Sequence, residues 1–137
     1  MIKIAICDDQ KEYLDTAKNL ITQYGAEKDV PFDIIEFSNP SDLLDETVEY
    51  DIYLLDVCMP GITGMSLATE LRAKRIESPI VFLTSYSDYA VQAFGVNATH
   101  YIVKPYTKEE FFNGVDKAIT AININSPKTI KLKIEGG

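Results

Sequence analysis

The chain has 137 residues, 46% of them apolar and 25% charged, with 21 acidic against 13 basic side chains, a formal charge of -8 and an isoelectric point near 4.6. That length suits one domain at roughly 100 to 200 residues per domain, and the composition excludes a disordered tail. So acidic a surface would repel duplex DNA and anionic membranes, which argues against nucleic-acid binding by this chain alone, and no apolar run approaches the roughly 18 residues of a membrane span. The start, Met1-Ile2-Lys3-Ile4, does not read as a signal peptide. Two cysteines, Cys7 and Cys58, suit a reducing compartment better than a disulfide framework, so a cytoplasmic location without a membrane partner is expected.

Ile2 to Cys7 is a short apolar run rich in β-branched residues, and after Asp8-Asp9 the period changes. Tyr13, Leu14, Ala17, Leu20, Ile21 and Tyr24 form the stripe of an amphipathic helix that is expected to end near Gly25. Phe32 to Phe37 reads as a second strand, and Pro40 fits the first turn of a second helix capped by Asn39. Ile52-Tyr53-Leu54-Leu55, apolar throughout, is a third strand ending at Asp56, as expected of a parallel strand covered on both faces. A loop with Pro60, Gly61 and Gly64 leads to a helix from about Met65 to Lys74, and Pro79 to Thr84 is a fourth strand. A helical stretch from Tyr89 to Phe94, a short strand around Tyr101-Ile102-Val103 and a last helix from about Lys108 to Ile122 complete the series.

Strands alternating with helices imply a parallel sheet, because crossovers between parallel strands are right-handed almost without exception. The second strand, Phe32-Asp33-Ile34-Ile35-Glu36-Phe37, carries charges that the first, third and fourth lack over most of their length, which places it at an edge. The expected fold is α/β: a doubly wound five-stranded parallel sheet of order 2-1-3-4-5, flavodoxin-like, with helices on both faces. Ligands of such sheets bind beyond the carboxyl ends of the strands. The residues there are Asp8 and Asp9 after strand one, Asp56 after strand three, Thr84 after strand four and Lys104 after strand five.

In this order three carboxylates converge. Two unit charges about 4 Å apart at an effective dielectric of about 20 repel by roughly 4 kcal/mol, so the group needs counter-charge. A hard divalent cation held through oxygen, Mg2+, would supply it, with Lys104 adding one further positive charge. A single acid at a strand end is an ordinary solvated loop residue; five positions filled together point to a site. Asp56, last on the most deeply buried strand, is then placed to attack phosphorus and form an acyl phosphate, which makes it the expected phosphoacceptor.

The residues that carry these roles also carry a resemblance. Ile6-Cys7-Asp8-Asp9, Leu55-Asp56-Val57-Cys58-Met59-Pro60 with Gly64, Phe82-Leu83-Thr84-Ser85 and Tyr101-Ile102-Val103-Lys104-Pro105 occur in order at the ends of the right strands. Over about residues 1 to 122 the chain resembles bacterial response-regulator receiver domains. The resemblance implies that Asp8, Asp9, Asp56 and the backbone carbonyl of Cys58 hold Mg2+, directly or through water. It also implies that Asp56 takes a phosphoryl group from the phosphohistidine of a sensor histidine kinase, and that Lys104 pairs with the phosphate.

Phosphorylation would add about -1.5 to -2 charge and three acceptor oxygens at Asp56. Thr84 would move inward to donate to the phosphate, and in receivers of this kind an aromatic ring three residues before the lysine, here Tyr101, follows it. The expected outcome is a population shift on the surface of the stretch Tyr89 to Phe94, the fifth strand and the last helix, with a phosphorylation-dependent homodimer as the implied assembly. The resemblance further implies a cis peptide at Lys104-Pro105 and a modulating role for Tyr86, two residues after Thr84, in access of water to the acyl phosphate. Residues 123 to 137 read as a linker, Asn123, Asn125, Ser126 and Pro127, followed by a strictly alternating Ile130-Lys131-Leu132-Lys133-Ile134. The stretch Ser85-Tyr86-Ser87-Asp88-Tyr89-Ala90-Val91-Gln92-Ala93-Phe94 and this tail resemble receivers that precede a LytTR-type DNA-binding domain, so DNA would be reached through an output domain. Two other readings compete. One is a Mg2+-dependent phosphohydrolase of the haloacid-dehalogenase type, against which the adjacent Asp8-Asp9 pair and the lack of a later acidic pair both speak; the other is a receiver-like interaction module that is never phosphorylated.

Overall fold

The computed structural model describes residues 1–45, 48–57, 59, 61–85 and 96–125. The expected helical stretch Tyr89 to Phe94, the alternating segment Ile130 to Ile134, and Cys58 and Tyr86 lie outside the described residues.

Five strands, β1 (Ile2–Cys7), β2 (Phe32–Phe37), β3 (Ile52–Asp56), β4 (Ile80–Thr84) and β5 (His100–Val103), form one sheet in the order β2-β1-β3-β4-β5, every neighbouring pair parallel. The expected fold class and strand order are both observed. β3 and β4 are buried at every residue, whereas β2 lies at an edge and buries only Phe37 fully. Alternation across the pleat sorts the core into two layers. Ala5, Tyr53, Leu55 and Phe82 face Leu43 of α2 (Pro40–Leu44) and Leu67, Ala68 and Leu71 of α3 (Gly64–Ala73). Ile4, Ile6, Leu54, Val81 and Leu83 face Leu14, Ala17 and Ile21 of α1 (Lys11–Lys28) and Phe111, Val115 and Ala118 of the last helix (Lys108–Asn125).

Local chemistry starts and stops the helices. The Asn39 side chain accepts from the Ser41 N–H at 2.8 Å with Pro40 in the first turn, and Thr63 Oγ1 accepts from the Ser66 N–H at 3.1 Å. Thr107 and Glu110 form a reciprocal box, the Glu110 N–H donating to Thr107 Oγ1 at 3.1 Å and the Thr107 N–H to Glu110 Oε1 at 3.0 Å. Two helices outrun the sequence expectation. α1 passes Gly25 and stops at Asp29, which takes the left-handed cap itself (φ 56). Gly25 serves a different need: a Cβ there would lie 2.7 Å from the Val30 carbonyl oxygen, which folds back over the helix. The last helix continues from Ile122 to Asn125, since nothing before Pro127 forbids helical backbone.

At the amino ends of β4 and β5, Arg72 ties together the two segments that lead into these strands. Its Nε donates to Val96 O at 2.8 Å, Nη1 to Ile76 O and Ser78 O at 2.8 and 2.9 Å, and Nη2 to Asn97 O at 3.2 Å. Asn97, itself one of these acceptors, takes the left-handed conformation (φ 54) that asparagine tolerates better than most side chains.

Candidate functional site

Strand register assembles the crevice. Cys7 lies opposite Leu55, Asp56 opposite Leu83 and Thr84 opposite Val103, so one step further along each strand stand Asp8, Asp56, Thr84 and Lys104. These four are the buried polar or charged side chains of the described residues, tyrosines apart, with exposures of 3%, 5%, 0% and 7%. Polar groups enter this interior almost solely where the strands end, and burial there is costly unless the groups are paired.

The pairing is specific. Lys104 Nζ lies 2.7 Å from Asp8 Oδ2 and 3.5 Å from Asp56 Oδ1. The other Asp8 oxygen, Oδ1, accepts the Gln10 N–H at 2.9 Å, which closes the turn into α1. Asp8, Asp9 and Asp56 each present one oxygen within 4.8 Å of the other two; Asp9 is exposed and the other two are buried. The Lys104 N–H donates to Thr84 O at 2.7 Å, joining the ends of β4 and β5, and the Lys104–Pro105 peptide bond is cis. On the β3 side, the Gly64 N–H donates to Val57 O at 2.9 Å, and a Cβ on Gly64 would lie 2.1 Å from the Asp56 carbonyl oxygen.

Two neighbours were not singled out by sequence pattern. Tyr13, which the spacing assigns to the apolar stripe of α1, places its ring face 3.7 Å below Lys104 Nζ. Tyr106 buries its hydroxyl with no hydrogen-bond partner among the described residues, and its phenol is pushed up to about 12, first by burial and then by Asp8 and Tyr13. Cys7, one residue before the acidic pair, donates to Met59 Sδ at 3.7 Å, and its thiol is raised to about 12 by burial and then by Asp8 and Asp56. It is therefore held as the unreactive thiol. Tyr101 is half-buried, its ring tilted against Phe82 at 6.3 Å between centroids, and its register partner is that same residue. His100 is half-buried away from the acids, its pKa lowered by burial and then by Lys117.

Chemically, three carboxylates and one ammonium leave a net negative site with hard oxygen donors. That donor set suits a divalent cation such as Mg2+ rather than a thiophilic metal. The fit has one condition: both oxygens of Asp8 already accept, one from Gln10 and one from Lys104. A cation held there would have to share Asp8 with the Lys104 ammonium.

Comparison with known proteins agrees with this geometry. The sequence profile described as the response regulator receiver domain matches residues 4–116. The chain belongs to that family. Among relatives, this receiver is 35% identical to a sensory transduction protein, LytT, of Oceanobacillus iheyensis, the alignment covering 70% of this chain and 42% of the relative. It is 30% identical to the transcriptional regulatory protein LytR of Staphylococcus aureus, over 94% of this chain and 52% of that protein. The chain thus spans about half the length of the curated relatives it matches. Among solved structures, the response regulatory domain of mrkE from Klebsiella pneumoniae superposes with a TM-score of 0.79 at 27% identity, covering 88% of this chain and 98% of that one. The response regulator TrrA of Thermotoga maritima, solved in complex with Mg2+ and BeF, gives 0.74 at 29% identity, covering 86% and 99%. Receivers are signalling domains of two-component systems rather than members of an enzyme family, and among the described residues no helix is long and apolar enough to cross a membrane.

Proposed function

We propose that this receiver is switched by phosphorylation of Asp56, with Mg2+ held by Asp8, Asp9, Asp56 and the backbone carbonyl of Cys58. The observation that carries the reading is the burial of Asp56 beside an ammonium and two further carboxylates at the carboxyl edge of the sheet. An Asp56 oxygen attacks phosphorus in line; the bond from phosphorus to the donor nitrogen or oxygen breaks, and the electron pair leaves with the imidazole of a histidine kinase or with a small acyl donor. When bound, Mg2+ offsets charge on the equatorial phosphoryl oxygens. Lys104 supplies a second positive charge there, and Thr84, fully buried at the end of β4, is the hydroxyl placed to donate to the product. Because the Lys104 amide bonds to Thr84 O, the two ends respond together, and Tyr101, three residues before Lys104 on β5, follows. Tyr86 is assigned the control of water access to the acyl phosphate.

At the level of the whole protein we assign residues 1–122 to the receiver and 123–137 to the connection toward a LytTR-type DNA-binding output domain. The names of the relatives and their roughly twofold greater length support this assignment. A sensor histidine kinase upstream and a phosphorylation-dependent homodimer downstream complete the scheme.

The test is intact mass after incubation with acetyl phosphate and Mg2+. The parent should gain one phosphoryl group, and Asp56→Asn or the parent in excess EDTA should gain none. Equal gain in parent and Asp56→Asn would place the acceptor elsewhere. No gain in the parent would favour an interaction module that is never phosphorylated, and continuous phosphate release from a small substrate would favour a hydrolase.

A further inference from the structure

Lys104 is a residue of the site whose partners must change during the reaction just proposed. Its ammonium begins 2.7 Å from Asp8 and 3.5 Å from Asp56, yet phosphoryl oxygens on Asp56 would call it away from Asp8. Among the described residues the Tyr13 ring also lies against it, 3.7 Å from Nζ to centroid, and the lysine is only 7% exposed. The same turn places ring and carboxylate. The Gln10 N–H holds Asp8 Oδ1 at 2.9 Å, while the Tyr13 and Leu14 N–H groups both donate to Gln10 O at 3.1 Å.

The geometry points to Tyr13 as a positioning residue for phosphoryl transfer, acting through Lys104. The face of an aromatic ring attracts a cation, more strongly where water is excluded, and without the directional demand of a hydrogen bond. An ammonium resting on that face can exchange one oxygen partner for another while keeping its support. With the ring removed, the lysine keeps its carboxylate partners, Asp8 the nearer at 2.7 Å and Asp56 at 3.5 Å, but loses its non-directional support, and water gains the vacated side. The inference rests on Asp56 being the phosphoacceptor with Lys104 on its phosphate.

The experiment measures the initial rate of phosphoryl gain from acetyl phosphate with Mg2+ by intact mass for the parent, Tyr13→Phe, Tyr13→Leu and Asp56→Asn. It also records the proton shift of the Lys104 ε-methylene, assigned by its loss in Lys104→Ala. Phenylalanine keeps the ring face and should stay within about twofold of the parent; leucine keeps the apolar bulk and should be about tenfold slower. The ε-methylene should be shifted upfield by the ring current in the parent and in Tyr13→Phe, and not in Tyr13→Leu. A leucine variant as fast as the parent overturns the inference, as does a phenylalanine variant as slow as leucine, which would assign the effect to the hydroxyl. The parent spectrum tests it independently of how any variant folds, since an unshifted ε-methylene would mean that the ring does not hold the lysine. Failure of the parent to take a phosphoryl group, or labelling of Asp56→Asn, would instead remove the reading on which the inference rests.

Discussion

At the carboxyl ends of the strands Lys104 lies among carboxylates, while at the amino ends of β4 and β5 Arg72 lies among main-chain carbonyls. Both cations are held at hydrogen-bonding distance, but their partners differ in kind. Carbonyls of Ile76, Ser78, Val96 and Asn97 carry no titrating charge, and the rigid fork of a guanidinium fits several at once. Carboxylates attract more strongly and can be claimed by another cation or converted to an acyl phosphate. On the proposed function the sheet is thus anchored at one end and exchangeable at the other, a division that follows from the partners rather than from the degree of burial.

That contrast can be broken by experiment. The largest effect is expected for Arg72→Ala, which strips four carbonyls of a charged donor and should cost about 3 kcal/mol in urea denaturation. The same variant should keep whatever stabilisation Mg2+ confers, because the two ends share no residue; a lost Mg2+ response would mean that they are not separable. Next in size is the metal effect itself. Mg2+ at about tenfold over its dissociation constant should raise stability by about 1.4 kcal/mol, reversed by EDTA and diminished in Asp9→Asn. An equal increment in parent and variant would place the cation away from the acidic cluster. The smallest is Tyr106→Phe, which removes a buried hydroxyl lacking a partner among the described residues and should gain about 1 kcal/mol.

A pH titration sharpens the last case. The Tyr106 phenol is raised in the folded protein from 10.0 to about 12. A raised folded value favours the protonated native state, so its contribution is full below the unfolded value of 10.0 and is lost as pH climbs toward 12. Denaturation across that window should show a shallower alkaline decline in Tyr106→Phe than in the parent.

Strand order and the convergence of Asp8, Asp56, Thr84 and Lys104 were legible because both rest on strong regularities: uninterrupted apolar runs, right-handed crossovers and the rule that open sheets bind ligands at their carboxyl ends. Contacts whose partners carry no sequence signature were not. Arg72 looks like any basic residue in the last turn of a helix, since its acceptors are backbone atoms that every residue possesses. Tyr13 satisfies the helical stripe so well that its spacing hides the second use of its ring. Gly25 illustrates a different difficulty. Glycine after an apolar stripe ordinarily signals a helix end, but here it answers the close return of Val30 O, and Asp29 provides the stop.

Gly64 gives the crevice one immovable jaw. With no room for even a methyl group beside the Asp56 carbonyl, the strand carrying that aspartate and the helix that follows it are clamped backbone to backbone. Adjustment to a new occupant is then left to the other walls of the crevice, the threonine and lysine ends of β4 and β5 among them. In an exhaustive substitution library, position 64 should read as an empty column in which every codon but that of glycine is lost.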